Sequence, residues 1–162
     1  MICRKRALVV WIWLFLAATV FLAESVLSEK RNPVQKLELA QFKNMIAGDG
    51  HFLLVFMAAW CSPCIKELPD LNALYTQYRS KGLNMVGVSV DFDGPSAMQP
   101  IVDRLKIDFP IFWLGEAALE AYGINGIPLL VFVKDGMVVG KVMGLQSKSF
   151  FAEKIEAFLA RP

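Results

Sequence analysis

The sequence predicts an α/β fold in which helices flank a central mixed sheet. Two apolar runs of strand length, "HFLLVFMAA" at residues 51–59 and "LNMVGVSV" at residues 83–90, are typical of buried parallel strands. An amphipathic segment between them is typical of the helix that connects two parallel strands. Near the C-terminus, "IPLLVFV" and "MVVGKVMG" are joined by an Asp-Gly turn, which indicates an antiparallel β-hairpin at the sheet edge.

The helices of the first half follow from the spacing of apolar residues. "KLELAQFKNMIAG" at residues 36–48 suits a short helix, or a strand followed by a helix, that ends at the glycines of residues 48–50. Segment 61–82 carries an i, i+3, i+4 apolar stripe, which predicts an amphipathic helix that starts near Cys61. The residues expected to face inward are Ile65, Leu68, Leu71, Leu74, Tyr75 and Tyr78.

The second half continues the alternation of strands and helices. "DFDGPSAMQP" is interpreted as a turn and "IVDRLKI" as a short helix, and "FPIFWL" leads into the helical "GEAALEAYG". After the hairpin, residues 147–160 predict a closing helix. Its inward-facing residues are expected to be Phe150, Phe151, Ile155, Phe158 and Leu159. Cys61 then lies on a strand-to-helix turn at the carboxyl end of the sheet, where the sites of α/β folds collect.

Residues 1–28 predict a signal peptide or a membrane anchor, and residues 29–162 the folded domain. Three cations at positions 4–6 precede an uncharged run from Ala7 to Ala23, which is 17 residues long. With these cations on the cytoplasmic side, either a cleaved or a retained leader exports the rest of the chain. A buried helix of a cytosolic protein is the alternative interpretation.

The exported part carries no formal net charge. Without residues 1–25, three of the 17 cations and one of the 15 acidic residues are lost, so that 14 of each remain. This balance gives no indication of a nucleic acid or a polyanionic substrate.

Cys61 and Cys64 could form a redox couple, half of a metal site or a structural staple. A staple gains stability with the length of the loop it closes, and this loop is minimal. Zinc needs four ligands and copper needs more soft donors than this, yet the exported part offers one histidine, His51, and no third cysteine. We therefore expect no metal, and interpret the pair as a redox couple.

The start of a helix suits this chemistry. Its unpaired N–H groups and partial positive charge favour a thiolate at Cys61, and Cys64 lies one turn further on, close enough to form a disulfide. Pro63 fits the first turn because its missing N–H is not needed there, and the small Ser62 leaves the Cys61 sulfur accessible. One unit in the thiol pKa corresponds to about 30 mV in the potential of the pair.

Several motifs in order resemble a known family. "VFMAAWCSPC", Pro69 and "GIPLLVFVKDGMVVGKVMG" resemble a thioredoxin-like fold. The longer pattern "AAWCSPCIKELPDLNALYTQY", "GLNMVGVSVD", "FPIFW" and "AYGINGIP" resembles the TlpA/ResA group of exported, often membrane-anchored thiol–disulfide oxidoreductases. The resemblance covers about residues 35–160.

This resemblance implies three catalytic residues. Cys61 matches the exposed nucleophilic cysteine and Cys64 the buried resolving cysteine. Glu67 matches a glutamate that helps to handle protons near the resolving thiol, and an acid at this position could act as its general base if it is partly buried. A solvated helix carboxylate is the alternative interpretation of Glu67. Pro69 is expected to kink the helix and to carry no chemistry.

The resemblance also implies a substrate-binding surface. Pro128 matches a cis-proline that faces the cysteine pair, and the Ile127 backbone beside it is expected to pair with the substrate peptide, strand to strand. Trp60 and Pro63, which flank the nucleophile, are expected to belong to the same surface. The alternatives are an ordinary strand-start proline at Pro128 and core packing at Trp60.

The sequence departs from the thioredoxin pattern at two positions. Val55 stands where thioredoxins carry a buried aspartate, which moves the proton role toward Glu67, and Leu129 follows the expected cis-proline where threonine is frequent. Asp91 and Asp93 are interpreted as turn and cap residues rather than a cation site. His51 is expected to be a surface residue.

The resemblance implies an exported reductase of protein disulfides. Its group often acts on apocytochrome c, whose haem-attachment cysteines must be reduced, and a membrane thiol-reducing donor would keep the pair reduced. No cofactor is expected beyond the Cys61–Cys64 disulfide, and the expected location is the bacterial periplasm or the periplasmic face of the inner membrane. The alternatives are a disulfide-forming oxidant and a non-catalytic binding or chaperone module. A peroxiredoxin is disfavoured, because no cysteine lies in a peroxidatic context.

Overall fold

The computed structural model describes residues 32–160, so that the predicted leader at residues 1–28 lies outside them. The described chain forms a six-stranded mixed sheet with helices packed on it. The strands are β1 (Gln35–Lys36), β2 (His51–Met57), β3 (Leu83–Ser89), β4 (Ile111–Trp113), β5 (Leu129–Lys134) and β6 (Met137–Met143). The helices are α1 (Leu39–Ile46), α2 (Ser62–Tyr78), α3 (Pro95–Leu105), α4 (Glu116–Tyr122) and α5 (Lys148–Leu159), with a 3₁₀ turn at Arg79–Lys81.

The order of the strands in the sheet is β1-β4-β3-β2-β5-β6. The first four strands in this order run parallel to their neighbours, whereas β5 is antiparallel to β2 and β6 is antiparallel to β5. The mixed sheet and the terminal hairpin are therefore confirmed. In the hairpin turn Asp135 and Gly136 have positive φ angles of 49° and 75°, a conformation that favours an Asp-Gly pair.

Strand β2 lies in the middle of the sheet and leads directly to Cys61. It pairs with β3 on one side and β5 on the other, and its residues 53–57 are buried, which explains the unbroken apolar run. Helix α2 follows it and remains one helix through Pro69, so that the expected kink does not divide it. The predicted stripe of α2 is buried at Leu68, Leu71, Leu74 and Tyr78, and Ile65 and Tyr75 are half-buried.

One interpretation of the middle of the chain is wrong, and one short strand was not predicted. Helix α3 begins at Pro95, inside the segment interpreted as a turn, because a proline in the first helical turn loses no hydrogen bond. Pro100 lies within this helix on its exposed side. The segment "FPIFWL" contains the short strand β4, which pairs with β1 and β3 and completes the parallel half of the sheet.

His51 is the first residue of β2 and is half-buried, which corrects its assignment to the surface. Its ring packs edge-on against Phe158 of α5, with 4.8 Å between the ring centroids. The cause is helix α5, which covers this end of the strand.

The chain enters the fold at the amino end of β1. The Asn32 side-chain amide donates hydrogen bonds to the carbonyls of Ile107 (2.9 Å) and Phe109 (2.7 Å). The Gln99 side chain of α3 accepts the N–H of Val34 at 2.7 Å and donates to the carbonyl of Asn32 at 3.2 Å. These bonds fix the entry point on the β4 side of the sheet. Between residues 32 and 160, no helix has the length and apolar character needed to cross a membrane.

Candidate active site

Cys61 is held in the turn between β2 and α2. Its side chain occupies the N-cap position of α2, and its N–H donates to the carbonyl of Ala58 at 3.1 Å. The Cys61 carbonyl accepts the N–H of Ile65 at 3.1 Å, and the Cys61 sulfur accepts the N–H of Cys64 at 3.3 Å. The sulfur thus takes the place of the oxygen of an ordinary N-cap residue, and its position at the positive end of the helix dipole is as predicted.

The two cysteines form a disulfide across the first turn of α2, with 5.3 Å between their Cα atoms. The expectation of an exposed Cys61 is wrong for this form, since Cys61 is 4% exposed and Cys64 is 1% exposed. The Cys61 sulfur is turned into the helix by its bond to Cys64 and by the N–H of Cys64 that it accepts. Pro63 lies in the same first turn and is exposed, as a surface role requires.

Glu67 lies one turn beyond Cys64 and is buried. It is 2% exposed, and neither of its carboxyl oxygens has a hydrogen-bond partner among the described residues. Burial raises the pKa of Glu67 from the ordinary 4.5 to about 8, because an ionised carboxylate loses its hydration there. The alternative of a solvated helix carboxylate is therefore wrong, whereas its role in proton transfer stays a prediction.

Pro128 precedes β5, beside the end of β2 from which the Cys61 turn starts. The Ile127–Pro128 peptide bond is cis, as the resemblance predicts. Leu129, the next residue, pairs with Phe56 near the end of β2, and the Pro128 carbonyl accepts the N–H of Gly144 at 2.9 Å. Ile127 is half-buried. The proposed pairing of its backbone with a substrate peptide stays a prediction.

The buried position of Val55 holds no carboxylate, but another carboxylate lies behind the turn. Asp91 comes directly before the turn after β3, close to the interpretation as a turn residue, but it is only 1% exposed. One carboxylate oxygen accepts the N–H of Ala59 at 2.8 Å, and the other accepts the hydroxyl of Ser89 at 2.8 Å. The indole N–H of Trp113 donates to the Asp91 carbonyl at 2.7 Å. Asp91 therefore ties together the carboxyl ends of β2, β3 and β4, a role that the sequence analysis missed.

Two aromatic rings are exposed beside the disulfide. Trp60 is 57% exposed, which excludes the alternative of core packing, and Phe92 is 66% exposed. Their rings stack with 6.0 Å between the centroids and an angle of 8° between the planes. Phe92 was not among the predicted site residues, and the only signal for it was an aromatic residue in a turn after a buried strand.

The fold and this site together define a class of protein. A disulfide at the start of the helix after the central strand, with a cis-proline before the neighbouring antiparallel strand, characterises a thioredoxin-like thiol–disulfide oxidoreductase. Over residues 32–160, no three His, Cys, Asp or Glu side chains lie close enough together to hold a metal ion.

The chain belongs to the AhpC/TSA family, which its sequence matches over residues 26–142. Thiol-disulfide oxidoreductase ResA from Bacillus thuringiensis is 33% identical over 129 residues, which is 78% of this chain and 69% of the relative. The predicted resemblance to this group is therefore confirmed.

Solved structures agree with this fold. The thioredoxin domain of a thiol-disulfide oxidoreductase from Bacteroides vulgatus is 27% identical, with a TM-score of 0.62 over 72% of this chain and 83% of that one. StoA from Bacillus subtilis is 23% identical, with a TM-score of 0.59 over 65% of this chain and 82% of that one.

Proposed function

We propose that the protein reduces disulfides of exported client proteins through a Cys61–Cys64 dithiol cycle. The observation that carries this proposal is the disulfide in the first turn of α2 with the buried carboxyl group of Glu67 one turn further on. The class of the relatives agrees with it. Apocytochrome c is the client that we propose to test first.

In the first step the Cys61 thiolate attacks one sulfur of the client disulfide. A bond forms between the Cys61 sulfur and that client sulfur, and the other client sulfur leaves as a thiolate and takes up a proton. The N-terminus of α2 favours the Cys61 thiolate through its unpaired N–H groups, one of which, that of Cys64, already points at the Cys61 sulfur.

In the second step Cys64 resolves the mixed disulfide. The Cys64 thiol gives its proton to the Glu67 carboxylate, and the resulting thiolate attacks the Cys61 sulfur. The Cys61–Cys64 disulfide forms, and the client sulfur that was bound to Cys61 leaves as a thiolate that takes up a proton. Two electrons have then passed from the dithiol to the client. Burial raises the pKa of Glu67 to about 8, so that its carboxyl group can take up and release a proton near neutral pH.

Each turnover leaves the protein oxidised, so the cycle needs a two-electron dithiol donor. We propose that a membrane thiol-reducing protein supplies these electrons on the extracytoplasmic side, in the periplasm or at the periplasmic face of the inner membrane. The predicted leader at residues 1–28 is consistent with this location. No cofactor beyond the disulfide takes part in the proposed cycle.

The opposite direction, disulfide formation in clients, is the second enzymatic possibility. Disulfide-forming oxidants of this fold usually carry an inserted helical domain. Between β3 and β5 the described chain holds two helices, of 11 and 7 residues, which leaves no space for such an insertion. This observation supports the reductase.

The reduction potential of the Cys61–Cys64 pair tests the direction. We would equilibrate the full chain in graded thiol buffers and follow the change in its tryptophan fluorescence, to which Trp60 beside Cys61 contributes. A reductase is expected near about −270 mV, as in thioredoxin, whereas a value near −120 mV would overturn the proposal in favour of an oxidant.

Replacement of the resolving cysteine tests the mechanism. With Cys64→Ser, a client disulfide should be trapped on Cys61 as a mixed disulfide, which mass spectrometry detects. Cys61→Ser serves as the control and should trap nothing. If Cys64→Ser also traps nothing, the protein is a non-catalytic binding module.

A further inference from the structure

Trp60 and Phe92 form a stacked pair of rings that the proposed cycle does not use. They belong to the two turns that follow β2 and β3, so their contact is made by the tertiary fold rather than by local sequence. Both rings are more than half exposed and their planes are nearly parallel, at 8°. The pair therefore presents a continuous apolar surface to the solvent, which is unusual for two large aromatic side chains.

Hydrogen bonds fix the backbone of the two turns that carry these rings. Asp91 precedes Phe92, and its carboxylate accepts the N–H of Ala59, which precedes Trp60. The N–H of Cys61, which follows Trp60, donates to the Ala58 carbonyl. These bonds fix the backbone of both turns, so that binding on this surface requires no ordering of the chain there.

The surface also lies where a client must pass. Trp60 is the neighbour of Cys61, and β2 has β3 on one side and β5 on the other. Phe92 therefore approaches the Cys61 turn from the β3 side, whereas the cis peptide before Pro128 approaches it from the β5 side. A polypeptide whose disulfide is attacked by Cys61 must place the residues that flank its cysteine between these two sides.

We propose that Phe92 is a specificity-determining residue of the oxidoreductase. With Trp60 it forms an aromatic platform that binds an apolar or aromatic side chain flanking the attacked cysteine of an extended client segment. Both platform residues are uncharged rings, whose faces and edges suit another ring or a long aliphatic chain. This inference rests on the proposed reductase function.

The test compares three disulfide probes with pre-reduced full chain in single-turnover, acid-quenched reactions. Two are peptides cyclised by a disulfide, and they differ only in the residue that precedes the cysteine to be attacked, which is Phe in one and Ser in the other. The third is oxidised 2-mercaptoethanol, which has no side chain to bind. We expect the wild type to reduce the Phe peptide about three- to tenfold faster than the Ser peptide, the range of one aromatic contact. Phe92→Ala should abolish most of this preference and leave the rate on oxidised 2-mercaptoethanol unchanged.

Met137→Ala is the matched control, because Met137 is 68% exposed but lies after the hairpin turn, at the other end of β5 from Pro128. This variant should keep the preference of the wild type. The inference is overturned if Phe92→Ala retains the preference, or if it slows all three probes equally, which would indicate an effect on Cys61 reactivity. A wild type that reduces none of the three probes would overturn the proposed function itself.

Discussion

Two buried carboxyl groups lie near the disulfide, and their surroundings are opposite. Asp91, behind the Cys61 turn, has hydrogen-bond donors on both carboxylate oxygens. Glu67, one turn beyond Cys64, has no partner for either oxygen among the described residues. Both side chains are at most 2% exposed, so burial does not distinguish them.

The difference indicates two separate tasks. The oxygens of Asp91 are occupied by groups of the fold, and its carboxylate can hold the turn that carries Trp60 and Cys61. The oxygens of Glu67 have no hydrogen-bond donor among the described residues. Burial without such donors disfavours the ionised form, which raises the pKa of the carboxyl group. This contrast supports the proposal that Asp91 positions the turn and that Glu67 exchanges a proton.

The largest loss of stability is expected from removal of the Asp91 carboxylate, which holds the turn. Asp91→Ala should lower the free energy of unfolding by about 3 kcal/mol, because the Ala59 N–H and the Ser89 hydroxyl both lose their acceptor. Urea unfolding of the oxidised protein measures it. Asp91→Asn keeps an acceptor for Ala59 and should lose about 1 kcal/mol. The exposed Asp93→Ala should stay within about 0.5 kcal/mol of the wild type. If Asp91→Asn loses as much as Asp91→Ala, the charge matters rather than the hydrogen bond.

Removing the carboxyl group that is free to exchange a proton should affect the reaction instead. Glu67→Gln should slow the resolution of the mixed disulfide by about 10²-fold, the lower range for a general base, and leave the first attack by Cys61 unchanged. Rapid-quench measurements that separate the release of the two client thiols check this. Asp70→Asn, an acid three residues further along α2, is the control and should resolve at the wild-type rate. Equal slowing of both steps would contradict the assigned role.

The same substitution should stabilise the oxidised protein, with a defined pH dependence. Since burial raises the pKa of Glu67 from 4.5 to about 8, the folded state keeps a proton that the unfolded state releases between these values. Wild-type stability therefore falls as the pH rises from about 4.5 to 8, and this loss is absent from Glu67→Gln. We expect a gain of about 4 kcal/mol at pH 8 and little gain at pH 4. Urea unfolding at both pH values measures it, and a gain that is independent of pH would refute the assignment.

The smallest effect is expected on the outer surface of the turn. Phe92→Ala should change the free energy of unfolding by less than about 0.5 kcal/mol, because most of the ring is in solvent. Thermal unfolding followed by circular dichroism measures it. A larger loss would mean that Phe92 holds the turn as Asp91 does.

The predictable part of the fold was the part with strong local patterns. The long apolar runs predicted β2 and β3, and the Asp-Gly turn predicted the hairpin. Strands β1 and β4 have two and three residues, too few to show an alternation, and they exist because they pair with each other and β4 pairs with β3. The start of α3 was hidden because Pro95 and Pro100 favour both turns and helix starts.

The candidate site shows the same limit. The cysteine pair and the cis-proline follow from motifs, whereas Asp91 and Phe92 are neighbours in the chain with opposite environments. The buried carboxylate of Asp91 accepts the Ala59 N–H at the end of β2, whereas the ring of Phe92 lies in the turn that follows and is exposed. No local pattern in the sequence distinguishes Asp91 from Phe92, because the Ala59 N–H that Asp91 binds is 32 residues away in the chain.

The hydrogen bonds of Asn32 have a practical consequence for experiments on surfaces. They fix the entry of the chain at the amino end of β1, and β1 is separated from β2 by β4 and β3. From strand spacing and rise, the distance from this entry point to the disulfide is on the order of 20 Å. An electrode or bead coupled through the N-terminal side would hold the domain by one edge. The turn that carries Cys61 would then lie away from the attachment point.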